Sequence, residues 1–597
     1  MAACPPAAIP TGGEILSGGE AVSYQVIGRN KDAAFTLKIH RGEGMALLAM
    51  NWRNGPPPAD FVGFAVEYRE PGRDRYFALH NRIGFPRPDG KVRASSLSSR
   101  LSPLQMFRWV HVPRNADLPG AFAYRVTPVF MNAQDELSYG IPQEAEIALR
   151  RETYPGQLNV AFTRGFVSSQ AFVDRYCKGA EGLDTLIPPS SEGGLGFVPS
   201  HPKAAEALAW MGFEARSTVI ELLDEALRDP TAKVCVVAYD ICEPEIVRRL
   251  EALGPRLRIV IDDSASHAKA ESAESQVAAR LRLSAGAANV KRHHLGGLQH
   301  NKTIVVDGEQ VKAAVCGSTN FSWRGLYVQS NNAILVRGAA AITPFQAAFE
   351  AYWASDKAAD FAAMPPAGWQ SLGLDGVDAR VTFSPHATSA GCLDAIAADI
   401  AKARSCLFYS LAFLYQTPGP IQDAITQLTG RPDRFVYGIS DRAVKGRLAG
   451  IDLQRPGGNI APVHAAALSG KVPEPFKSEP TGLAGNWGTR MHHKFVVIDF
   501  DKPSARVYMG SYNFSVAADS ANGENLLCIR DRRIATSYMI EALRIFDHYH
   551  FRVVEQRARA ARRALQLTKP PRAPGEEAWW ARYYSDPLKR RDRELFA

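Results

Sequence analysis

One stretch of this chain occurs twice, and that repetition limits the possible folds more than any local propensity. His300-Asn-Lys-Thr-Ile-Val-Val-Asp307 returns about two hundred positions later as His492-His-Lys-Phe-Val-Val-Ile-Asp499. Gly317-Ser-Thr-Asn-Phe-Ser322 matches Gly510-Ser-Tyr-Asn-Phe-Ser515, and Asn332-Ala-Ile-Leu-Val336 matches Asn525-Leu-Leu-Cys-Ile529, in the same order. Around each copy, helical and strand periods alternate. Residues 204–227 are amphipathic, 234–241 form an apolar strand, 243–253 a helix and 258–261 a strand. After residue 375 the alternation begins again. This order predicts an α/β fold with two pseudo-repeated lobes, 200–360 and 375–550, each a mixed sheet flanked by helices.

The remaining chain divides by pattern. Residues 14–150 carry about seven short strand candidates punctuated by Gly, Pro and Asn clusters, which predicts an all-β, sandwich-like module similar to immunoglobulin or fibronectin domains. Residues 151–199 read as a connector. Residues 551–597 read as a basic, partly helical tail. The formal charge of +9 favours encounter with polyanions such as nucleic acid, anionic lipid or a phosphorylated substrate. The eight cysteines follow no disulfide or zinc spacing. No secretory signal or membrane-spanning run is visible. The expected location is therefore cytoplasmic, with peripheral membrane contact or signal-independent export still open.

In both copies His and Lys stand two apart at the start of an apolar strand, so their side chains share a face. The pairs are His300 with Lys302 and His492 with Lys494. Each strand run ends in an aspartate, Asp307 or Asp499. The following strand ends in Gly-Ser-x-Asn, which supplies Ser318 and Asn320 in one copy and Ser511 and Asn513 in the other. These residue types suit attack on a phosphodiester. An imidazole serves as nucleophile or proton donor near neutral pH. An ammonium and a carboxamide neutralise the non-bridging oxygens. A carboxylate can hold an imidazole in one tautomer. A two-step displacement needs two imidazoles, and two facing lobes supply them. By composition, a given His has this Lys and Asp spacing by chance roughly 0.2% of the time. A zinc hydrolase would need a third clustered ligand where Lys stands, so the motif is not read as a metal site.

The pattern H-x-K-x4-D followed by G-S-x-N, present twice, resembles the phospholipase D superfamily over about residues 200–550. The resemblance implies a cofactor-free and metal-free reaction through a phosphohistidine. It implies a catalytic set of His300, Lys302, Asp307, Asn320, His492, Lys494, Asp499 and Asn513, in which the aspartates are structural or orienting. By analogy His300 is the nucleophile and His492 the general acid/base. Ser318, Ser511 and Glu524 are assigned to the substrate side, and Glu524 also stands where some members carry a carboxylate supporting the histidine of the other lobe. Its counterpart in the first lobe is Asn331, so the support is expected to be asymmetric. Both motifs in one chain imply a monomer.

Several other residues carry plainer readings. His493 should face away from His492 and pack. His293, His294 and His386 are read as loop residues, and Trp323 and Tyr327 as core aromatics. The substrate stays open between phospholipid, which is preferred, and DNA or RNA. Hydrolysis is not separated from transfer to an alcohol. A non-catalytic scaffold is the third alternative, and two complete motifs count against it.

Overall fold

The computed structural model describes residues 23–86, 97–165, 172, 175–176, 183–188, 193–387, 391–414, 417–431, 433–440, 491–560 and 565–597, the side chains of 266 and 549–560 excepted. In the N-terminal region β1 (Gln25–Ile27), β2 (Phe35–Gly42), β3 (Met45–Trp52), β4 (Phe61–Arg69), β5 (Phe77–Ala78), β6 (His80–Asn81), β7 (Leu97–Ser98), β8 (Arg108–His111), β9 (Ala121–Met131), β10 (Leu137–Tyr139) and β11 (Gln143–Ala148) follow one another. They form a sheet in the order β1-β2-β3-β8, a second in the order β10-β9-β4-β5 with β11 beside β9, and a β6-β7 pair. Alternation explains the shared core. Phe35, Leu37 and Ile39 of β2 meet Phe61, Phe64 and Val66 of β4, while Thr36 and Lys38 point outward. Strand β3 reads as an unbroken apolar run because both of its faces are covered. Ala46, Leu48 and Met50 enter this core, and Met45, Leu47 and Ala49 enter the next one.

The next sheet is built from β12 (Leu158–Phe162), β13 (Lys233–Ala238), β14 (Leu257–Ile261), β15 (Val290–Arg292), β16 (Lys302–Asp307), β17 (Lys312–Gly317) and β18 (Asn332–Arg337), in the order β12-β18-β17-β16-β13-β14-β15. Strands β13, β14 and β15 run parallel, and β16 is antiparallel to β13. The last sheet holds β19 (Gln370–Ser371), β20 (Asp378–Ser384), β21 (Cys406–Leu411), β22 (Phe435–Ile439), β23 (Lys494–Ile498), β24 (Arg506–Gly510) and β25 (Glu524–Arg530), in the order β19-β20-β25-β24-β23-β21-β22. Here β21 and β22 are parallel and β23 is antiparallel to β21. Strand β12 falls in the stretch read as a connector. Its five residues are all buried and pair antiparallel with β18, so the first sheet starts earlier than the sequence reading placed it.

One apolar core lies between the two large sheets. Helices Ala339–Ala354 and Arg532–Ala560 fill it with residues such as Phe345, Tyr352, Tyr538 and Leu543, against Val305 of β16 and Val497 of β23. Helices Ala204–Arg228, Pro244–Leu253 and Ala273–Ala285 cover the outer face of the first sheet. Gly391–Ala401 and Pro420–Thr429 cover that of the second.

The C-terminal residues return across the molecule. Trp579, Trp580, Tyr583 and Tyr584 pack on the N-terminal core. Phe596 is fully buried and contacts Phe408, Phe435 and Phe500. Arg108, also buried, bridges Asp547 of the long helix at 2.6 Å and Asp592 at 2.7 Å. Among the described residues no helix is long and apolar enough to cross a membrane.

Candidate active site

Strands β16 and β23 begin at Lys302 and Lys494, so His300 and His492 sit just before two equivalent strands. Lys302 lies opposite Ala238 and Lys494 opposite Leu411. The two imidazoles meet. Their ring centroids are 6.5 Å apart and the rings lie at 70°. Both are almost fully buried.

Each histidine is held by a residue from the other half of the chain. His300 Nδ1 lies 2.9 and 2.8 Å from the two carboxylate oxygens of Glu524. His492 Nδ1 lies 2.8 Å from Asn331 Oδ1. The Asn331 amide is oriented by its Nδ2, which donates to Gly325 O at 2.9 Å, so Oδ1 is the atom that faces the imidazole. Both histidines therefore carry hydrogen on Nδ1 and leave Nε2 for chemistry. The backbone repeats the exchange. Gly523 N donates to Leu298 O at 2.8 Å, and His492 N donates to Ser330 O at 3.1 Å.

The Gly-Ser turns build these supports. Gly317 and Gly510 adopt φ of 134° and 146°, and a Cβ at either would run into the backbone oxygen of Asn332 or Asn525. The tight turn sets Ser318 Oγ 2.9 Å from Asn331 Oδ1 and Ser511 Oγ 2.6 Å from Glu524 Oε2. Both serines are fully buried and each also accepts a backbone N–H, from Asn332 or Asn525. In this structure they fix the residues that fix the histidines. Glu524 likewise is closed off from the cleft, with its oxygens engaged by His300, Ser511 and Asn522.

The motif aspartates, counted with the catalytic set, reach neither imidazole. A strand rises about 3.3 Å per residue, which puts each Asp at the far end of its strand. Asp307 is half exposed, paired with Lys312 and hydrogen-bonded by Gln346 at 2.8 Å. Asp499 (φ 54°) accepts the backbone N–H groups of Arg404, Ser405 and Cys406 at 2.9, 2.8 and 3.3 Å. Asp499 ties a turn together, and the orienting carboxylate is Glu524.

Lys494 Nζ lies 3.0 Å from His492 Nε2 and 2.9 Å from its carbonyl oxygen. Lys302 donates to the His300 carbonyl and stands 4.7 Å above the Tyr239 ring. Tyr239 packs edge-on against His300 at 4.7 Å, and Phe413 against His492 at 6.0 Å. These aromatic walls lack any motif spacing and were not singled out. Asn320 and Asn513, in the Gly-Ser-x-Asn turns, each have a buried Oδ1 with no hydrogen-bond partner among the described residues.

The electrostatics follow from burial. Desolvation, then the Lys302 and Lys494 ammonium groups, hold His300 well below the usual imidazole range. Desolvation and Lys494 do the same to His492. Burial lowers Lys302 to about 7 and pushes Glu524 up to about 8, each partly offset by attraction between them.

The neighbouring residues fall where face arguments place them. His493 points away and bonds Glu541 at 2.9 Å. His293 is buried against Tyr352 O, and His294 pairs with Asp263 on the surface. Trp323 and Tyr327 are core residues.

The family model described as "Cardiolipin synthase, PLD-like domain" matches residues 220–353 and 468–545, spanning both His-Lys motifs. The chain belongs to the phospholipase D superfamily. The phospholipase D of Rickettsia prowazekii (strain Madrid E) is 46% identical over 48 residues, 8% of this chain and 22% of that protein. The match therefore spans about a fifth of the length of these curated relatives. Phosphatidylserine synthase from Haemophilus influenzae Rd KW20 superposes at TM-score 0.39 with 13% identity, covering 59% of this chain and 92% of that one. Nuc, a phospholipase D family member from Salmonella typhimurium, gives TM-score 0.20 and 22% identity over 24% of this chain and 88% of that one.

Proposed function

We propose that this phospholipase D-like chain cleaves phosphodiesters by a two-step displacement, with phospholipid as the preferred substrate and water as the acceptor. One observation carries the reading: two imidazoles 6.5 Å apart, supported differently, one by a carboxylate and one by a carboxamide. The separation suits a phosphoryl group between two Nε2 atoms. The asymmetry suits a division of labour. In the first step the His300 Nε2 lone pair bonds to phosphorus as the leaving oxygen departs. The imidazole becomes cationic and Glu524 balances it. His492, which takes up a second proton on Nε2 when the anionic phosphodiester binds, passes that proton to the leaving oxygen and returns to the neutral ring. In the second step it takes one from water as the N–P bond breaks. Lys302, Lys494 and the Nδ2–H groups of Asn320 and Asn513 donate to the phosphoryl oxygens as charge develops on them.

The matching strand orders of the two large sheets support reading them as two lobes of a duplicated unit, with the N-terminal β region as an accessory module. In this reading the motif tolerates no vestigial half, because each lobe holds the other's histidine. The preference for lipid rests on the relatives that match in sequence.

The test assays wild type, His300→Ala and His492→Ala on phosphatidylcholine vesicles, plasmid DNA and bis(p-nitrophenyl) phosphate. Head-group release lost in both variants is the expected result. Nicking of DNA without head-group release would move the substrate to nucleic acid. Folded wild type inert on all three would overturn the reading.

A further inference from the structure

We propose that His386, Cys392 and Asp519 form a zinc-class metal site in the second half of the chain, separate from the paired histidines. An imidazole nitrogen, the thiol sulfur and a carboxylate oxygen from these residues all lie within 4.8 Å of one another. The three come from different elements. His386 follows β20, Cys392 is in the first turn of helix Gly391–Ala401, and Asp519 is in helix Val516–Ser520. No sequence spacing discloses such a set, because the third ligand lies more than a hundred residues from the first two.

The hydrogen bonding points to a missing cation rather than a finished network. Asp519 Oδ1 lies 2.7 Å from His386 Nδ1 and accepts the Tyr512 hydroxyl at 2.8 Å. That bond places a proton on Nδ1 in the metal-free protein, and a cation shared with Asp519 would displace it. The lone pair of Nε2 then faces Cys392 Sγ at 3.8 Å and Thr382 Oγ1 at 3.0 Å. Thr382 already donates its one hydrogen to Ala367 O at 3.0 Å, so it has none left for Nε2. Asp519 is fully buried, and its Oδ2 has no hydrogen-bond partner among the described residues. The Cys392 thiol hydrogen meets the Nε2 lone pair, and Asp519 Oδ2 is left as the buried anionic oxygen that a cation would satisfy.

The donor types select the ion. Thiolate, imidazole and carboxylate together suit zinc and leave a fourth position open. Two anionic ligands neutralise a divalent charge inside an apolar surrounding. An entry path exists: Cys392 lines a cavity of about 380 Å³ bordered by Trp369, Arg380, Tyr508 and Cys528. The site also braces the catalytic loop. Tyr512 and Asp519 belong to the segment that presents Ser511, Asn513 and Glu524, and Ser384 next to the site donates to Asn522 O at 2.8 Å.

The test is metal analysis of full-length protein grown with zinc and purified without chelator. One equivalent of zinc is expected in wild type and in His300→Ala, and near none in Cys392→Ser and His386→Ala. Cobalt loading should give a thiolate-to-metal charge-transfer band that disappears in Cys392→Ser. A measurement on wild type alone guards against misfolded variants: zinc should protect Cys392 from alkylation, read by peptide mass spectrometry. Wild type with far less than one equivalent and no cobalt–thiolate band overturns the proposal. So does zinc retained in both variants, or alkylation of Cys392 indifferent to zinc.

Discussion

Replacing Glu524 with glutamine tests the central electrostatic argument, because the change keeps shape and removes charge. Glu524 is fully buried and meets His300 Nδ1 with both oxygens, at 2.9 and 2.8 Å. A hydrogen bond to a charged group contributes roughly 1.5–3 kcal/mol and a neutral one roughly 0.5–1.5 kcal/mol. The difference, about 1–2 kcal/mol, appears only when the imidazole becomes cationic. At about 1.4 kcal/mol per tenfold, kcat on bis(p-nitrophenyl) phosphate should fall roughly 5- to 30-fold. Glutamine retains an acceptor, as Asn331 already does for His492, so the loss stays well short of total. Glu524→Ala leaves the Nδ1–H buried and unpaired, adding about 1–3 kcal/mol and pushing the loss to roughly a thousandfold. Thermal unfolding of Glu524→Gln should remain near wild type. An unchanged rate in Glu524→Gln, or rapid-quench label found on His492 instead of His300, would refute the assignment of the nucleophile.

Other outcomes follow from the same geometry. With p-nitrophenyl esters, whose leaving group needs little protonation, His492→Ala should still release a burst of nitrophenol and then stall as phosphoenzyme, with turnover down by roughly 10²–10⁴; His300→Ala should show no burst. The free-enzyme pH profile should fall on its alkaline side, because Lys302 loses its charge above about 7 and with it part of the attraction for an anionic substrate. Lys302→Arg should remove that limb, read from kcat/KM against pH. Arg108→Ala removes a buried guanidinium from between the partly exposed Asp547 and Asp592 and should cost roughly 1.5–3 kcal/mol in urea unfolding, while activity at low temperature persists.

The readable part of this protein was the part written twice. The His-Lys pairs lie on period-2 strands, so their shared face followed from spacing alone, and so did the outward turn of His493. The asymmetry between Glu524 and Asn331 was also legible, since both fall at aligned positions. The aspartates recur with the motif and read as structural or orienting; a strand's length carries them away from the imidazoles, and Asp499 ties a turn. Ser318 and Ser511 were placed on the substrate because a hydroxyl near phosphate is chemically apt; their partners in this structure are set by glycine φ values that no residue type announces. Tyr239 and Phe413 left no signal, because an aromatic ending a strand looks the same whether it lines a cleft or a core. Strand β12 was hidden in a stretch whose partner, β18, lies well over a hundred residues away.

The exchange of supports across the middle of the chain makes catalysis a property of docking. Cut between the sheets, either fragment would keep one complete His-Lys-Asn set and yet have its imidazole unbraced, since the acceptor for Nδ1 left with the other piece. Turnover would then report reassembly, rising with the product of the two fragment concentrations, and a fragment pair carrying His300 on one side and Glu524 on the other would complement only by restoring that single contact.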